Sequence, residues 1–63
     1  MKIYHSIEYT VPAPHYGAGT REQCSAAIIR DRCLTHNGCE RILRKDRHDA
    51  VVTRVERMSY GKR

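Results

Sequence analysis

The sequence predicts a small α+β domain: one helix packed on a three-stranded, mainly antiparallel sheet, in the order β-α-β-β. Three stretches carry that prediction. Ala50–Tyr60 holds the densest β-branched run and alternates with period two. Lys2–Val11 alternates as well, with Ile3, His5, Ile7, Tyr9 and Val11 on one face and Lys2, Tyr4, Ser6, Glu8 and Thr10 on the other. Thr20-Arg-Glu-Gln23 reads as a capping box that opens a helix.

The first strand has one apolar face and one polar face, the pattern of a strand packed on one side and wet on the other. His5 interrupts the apolar face and is expected to be a partly exposed packing residue. Pro12–Gly19 is a loop, because two prolines end the strand's hydrogen bonding and two glycines open unusual backbone angles. Eight residues is long for a connection in so small a domain, and Tyr16 at its centre is a candidate partner contact.

From the capping box the helix is expected to run to His36, where Asn37-Gly38 supplies a left-handed stop. It carries two apolar stripes. Ala26, Ile29 and Cys33 form one; Cys24, Ala27, Ile28 and Leu34 form the other. One stripe, which of the two the spacing leaves open, covers the sheet and the other is left to meet a partner, with Ile28 and Leu34 the candidate partner contacts.

Cys39–Asp46 reads as a weak, charged edge strand, with a short helix as the alternative because Glu, Arg, Leu and Lys are good helix formers. Arg47-His-Asp49 is the turn into the last strand. There Val51, Thr53 and Val55 are expected on one face, and Val52, Arg54, Glu56 and Met58 on the other. The two best strands, first and last, are placed side by side under the helix. Gly61–Arg63 is a basic tail.

Length limits the core. A chain of 63 residues makes one domain, here 1–63, and has neither Trp nor Phe. Small cores are usually reinforced by disulfides, a metal or a second copy. Three cysteines cannot form a closed disulfide framework, and they point to a reducing, cytoplasmic setting. The amino terminus lacks the apolar run of a signal peptide, and no stretch approaches the ~20 apolar residues of a membrane span. A homodimer or an obligate complex with a partner is therefore expected.

The net charge is +5, with nine arginines among the twelve basic residues. Charge of that size favours polyanions or an acidic protein surface. Arg41, Arg44, Lys45, Arg47, Arg54 and Arg57 are the candidate nucleic-acid contacts, with Arg44 and Arg54 sharing the sheet face away from the helix and Tyr4 available for stacking. Glu8, Glu40 and Glu56 offset part of that charge on a wet face.

Two other constellations carry less. Cys33, His36 and Cys39, with His48 nearby, have zinc-like spacing, but a structural site needs a second pair of close-set ligands, so no cofactor is assigned. Gly17-Ala-Gly19 before the helix start is too short for a phosphate loop. No nucleophile, paired carboxylate or metalloprotease signature is present, and an enzyme is not expected. The leading reading is a non-catalytic binder of nucleic acid or a nucleoprotein complex. The alternative is an accessory protein, in the style of those carried by phages, that inhibits or modulates a host protein through a helix face or strand edge.

Overall fold

The computed structural model describes residues 2–14, 17 and 19–60, Tyr60 by its backbone alone. Strand β1 (Lys2–Pro12) is followed by β2 (Arg21–Arg30), helix α1 (His36–Leu43) and β3 (Val51–Tyr60). The strands form one antiparallel sheet in the order β2-β1-β3. The predicted class therefore holds: three antiparallel strands, one helix and β1 beside β3. The helix and the middle strand exchange places, so the order is β-β-α-β instead of β-α-β-β.

The reason lies in the run from Cys24 to Ile29. Its apolar residues satisfy helical spacing, but Cys24, Ala26 and Ile28 also alternate with Ser25, Ala27 and Ile29. Ten residues of pairing with β1, from Ile3↔Arg30 to Pro12↔Arg21, decide for the strand. The Pro12–Gly19 loop becomes a hairpin connection. Thr20 N donates to Gly17 O (3.1 Å) and Ala13 N to Thr20 O (3.2 Å), with Gly19 at φ 87° to make the turn.

The helix starts instead at Thr35, whose Oγ1 accepts from Gly38 N at 2.9 Å. Asn37-Gly38, read as a stop, lies in the first turn. The short-helix alternative for Cys39–Asp46 is the one adopted, because Cys39 and Leu43, four residues apart, bury themselves on the sheet. The turn before β3 is where it was expected, closed by Ala50 N donating to Arg47 O at 2.9 Å.

The core lies between α1 and the β1–β3 half of the sheet: Ile7, Tyr9, Cys39, Leu43, Ala50 and Val52. His5 is fully buried as well, not partly exposed. Its Nε2 accepts from Leu34 N at 2.9 Å, and its Nδ1 lies 3.4 Å from Ile28 O. The ring thus takes up backbone groups of β2 and of the segment leading into the helix.

A bulge corrects the expected faces of β3. Glu8 pairs with Arg54 but Tyr9 with Val52, leaving Thr53 as the extra residue. Its hydroxyl donates to Glu8 O at 3.0 Å. Val52 and Val55 consequently both face the helix, opposite Tyr9 and Ile7.

The helix sits toward β3, so Cys24, Ala26 and Ile28 on β2 are only partly buried. The surplus apolar surface expected on a helix is present on a strand. Among the described residues no helix is long and apolar enough to cross a membrane.

Candidate nucleic-acid interface

The six predicted basic residues separate into three groups. Arg44 caps the end of α1, where its Nη2 lies 3.5 Å from Glu40 Oε1 and its Nε donates to Ala50 O at 2.9 Å. Arg47 holds its guanidinium 5.9 Å from the centroid of the Tyr9 ring, a cation–π contact with a core residue. Arg44 thus holds the end of the helix to the start of β3, and Arg47 sets the following turn against β1. The expected sharing of the open sheet face by Arg44 and Arg54 does not occur, because Arg44 is on the helix.

Arg41 and Lys45 form the second group. Both are exposed on the outer side of α1 and the turn after it, and neither side chain makes an ion pair or hydrogen bond among the described residues.

The third group is Arg54 and Arg57, which leave β3 on opposite faces, Arg57 opposite His5 and Arg54 opposite Glu8. They border a recess of about 390 Å³ between β3 and the start of α1, lined also by Leu34, Thr35, His36, Thr53 and Val55. The local chain builds it from both sides. The bulge turns the Thr53–Val55 segment, and the Thr35 cap seats the first helical turn beside it. His36 Nε2 lies 3.0 Å from Val52 O, an acceptor only, so that nitrogen carries its proton toward the strand. Arg54 has a long, exposed contact with Glu56 (3.9 Å). Arg57 has no ion pair among the described residues, and no carboxylate lines the recess.

The charge of Arg57 also reaches the core. Burial pushes the Cys39 thiol above its ordinary range, and the Arg57 charge pulls it partly back. The folded protein therefore keeps the Cys39 proton at pH values where the unfolded chain, near pH 9.0, releases it. This contribution to stability is full below pH 9 and is lost as pH rises above it, through the folded value. Reactivity follows: with a thiol reagent at pH 8, exposed Cys33 is expected to label readily. Cys39 should label only as fast as the protein unfolds, and equal rates for the two would contradict its burial.

The remaining candidates fall elsewhere. Ile28 and Leu34 do not share a helix stripe: Ile28 is on β2 and Leu34 precedes α1, both half-buried, and their backbones meet at His5. Tyr16 lies outside the described residues. Tyr4 occupies the open face between Ile29 and Met58, its hydroxyl 2.8 Å from Met58 Sδ. Among the described residues no group of three His, Cys, Asp or Glu side chains is placed to hold a metal, since Cys39 points into the core while Cys33 is exposed.

Thr35 and Thr53 were not singled out from the sequence as site residues, and His36 was weighed there only as a zinc ligand. Thr35 had a usable signal as a cap residue before a short amphipathic segment; the other two depend on the bulge and on the crossing of α1 over β3. The chain matches no family model, no curated protein and no solved structure.

Proposed function

We propose that the protein is a small, non-catalytic binding protein that engages nucleic acid, alone or in a nucleoprotein complex. The observation that carries this reading is the recess that Arg54 and Arg57 border together with Thr35, His36 and Thr53, and that no carboxylate lines. Guanidinium groups present planar donor pairs that match phosphate oxygens, and hydroxyls complete the donor set. Arg41 and Lys45 extend the positive surface along the helix as further backbone contacts. Phosphate contacts position a strand without reading its sequence, so binding should tolerate many sequences. Free Cys24, Cys33 and Cys39 support a reducing, cytoplasmic setting.

The test is the salt dependence of binding to a labelled single-stranded oligonucleotide. Each phosphate contact contributes about 0.7 to the slope of log affinity against log salt. The Arg54→Ala/Arg57→Ala double variant is expected to lower that slope by about 1.4, whereas Arg21→Ala, at the Pro12 end of the sheet away from the recess, leaves it unchanged. Binding that ignores salt, or a double variant with the parental slope, would overturn the reading. A lysate partner retained after nuclease treatment would favour the alternative, a modulator of a host protein.

A further inference from the structure

The two edges of the sheet are finished differently. On β3 the outward groups of Val52 are taken up by the helix: Glu40 Oε2 accepts from Val52 N at 2.9 Å, and His36 Nε2 meets Val52 O. A bulge further breaks that edge. Strand β2 (Arg21–Arg30) is the other edge, and no strand among the described residues pairs with its outer side. This edge has no Pro, Gly, Lys or bulge, and Gln23–Ile29 carries no charge. Strand edges are normally blunted by such devices, and one without them is a template for another strand.

The geometry points to a second copy of this chain as the occupant: β2 pairs antiparallel with β2 of the partner subunit about a two-fold axis at Ala26, joining the sheets into one of six strands. This inference does not depend on the nucleic-acid reading.

The phase of the hydrogen bonds restricts the register. Val52, opposite Tyr9, directs its N–H and C=O away from β1. Tyr9 and the other odd residues of β1 therefore bond to β2, and Ala13 N to Thr20 O continues the same phase. It follows that the even residues of β2 face β1, while Gln23, Ser25, Ala27 and Ile29 present their backbone groups outward. Only registers that pair odd with odd satisfy the edge, and these place both helices on one side of the joined sheet.

Charge selects among them. With the axis at Ala26, Glu22 faces Arg30 of the partner subunit at both ends of the ladder, and neither has an ion pair among the described residues of the monomer. Between them Cys24 faces the partner's Ile28, and Ala26 faces its own copy across a close, non-hydrogen-bonded pair that suits small side chains. These are the β2 residues that α1 leaves half-covered. Moving the axis to Ser25 sets Glu22 against the partner's Ile28; moving it to Ala27 sets Cys24 against the partner's Arg30. Both waste a charge on an uncharged neighbour.

Sedimentation of the full chain at tens to hundreds of micromolar should give twice the 7.3 kDa chain mass. Ala27→Pro removes an outward N–H that β1 does not use, so it is expected to weaken the dimer at least tenfold with an unchanged circular dichroism spectrum. Glu22→Arg and Arg30→Glu should each weaken it, and the double exchange should restore it. In a Cys33→Ser background, which lacks the exposed thiol, mild oxidation should give a covalent dimer with Ala26→Cys and none without it. A parent chain that stays monomeric, a dimer indifferent to both Ala27→Pro and the charge reversals, or failure of the double exchange to rescue would overturn the inference.

Discussion

His5→Ala is expected to remove roughly a third or more of the protein's folding stability. The ring is fully buried on the central strand, and its Nε2 accepts the Leu34 N–H at 2.9 Å. Truncation opens a cavity among β1, β2 and the entry to α1, and it leaves that N–H without an acceptor. Together these cost about 3–4 kcal/mol. A chain of 63 residues has roughly 3–9 kcal/mol in total at the usual stability per residue. The thermal midpoint should fall by roughly 12 °C or more, since each kcal/mol moves a domain of this size by about 4–8 °C. His5→Leu separates the two terms. It fills the space but still strands the Leu34 amide, so it should cost about 1–3 kcal/mol. Thermal and urea unfolding of both variants measure this; a loss below about 0.5 kcal/mol for His5→Ala would mean that the ring holds nothing together.

How much of this was legible beforehand depends on how local each cause is. The face of β1 was readable because alternation over ten residues admits one period only, and Ile7 and Tyr9 are buried as that pattern requires. The segment from Thr20 to His36 was not, because its small and apolar residues suit both periods, and a capping box at Thr20 favoured the helix. Pairing with β1 settles the matter, and no local signal reports it. The exchange then displaced the candidate partner surface, since Ile28 lies on β2 and Leu34 in the segment leading into α1, not on one helix stripe.

The candidate binding residues show the same division. Their positive charge was visible in composition. The use of Arg44 on Glu40 and Ala50, and of Arg47 on Tyr9, requires the turn of α1 over β3. The recess at Arg54 and Arg57 additionally requires the bulge at Thr53, an extra residue that no period-two reading detects.

Ile7→Ala against Ile29→Ala is the sharpest contrast the fold predicts from one chemical change. Ile7 lies at the centre of the sheet, between Ala26 and Val55, and is 0% exposed, whereas Ile29 is on the opposite face at 56%. Ile7→Ala should cost about 2–5 kcal/mol, the range for a core isoleucine whose site collapses incompletely. Few large side chains are available to close over the gap, because the facing residues are Ala26 on one side and a β-branched valine on the other. Ile29→Ala should stay within about 0.5 kcal/mol. Had Cys24–Leu34 been helical, Ile28 and Ile29 would have lain about 100° apart on one surface, and Ile29 would have belonged to an apolar stripe with Ala26 and Cys33. As a strand, successive residues take opposite faces, so Ile29 is spent on the open side beside Tyr4. Denaturant unfolding of the two variants at one protein concentration decides between these arrangements. Equal losses would return Ile29 to a buried face and remove the basis for the β2 edge.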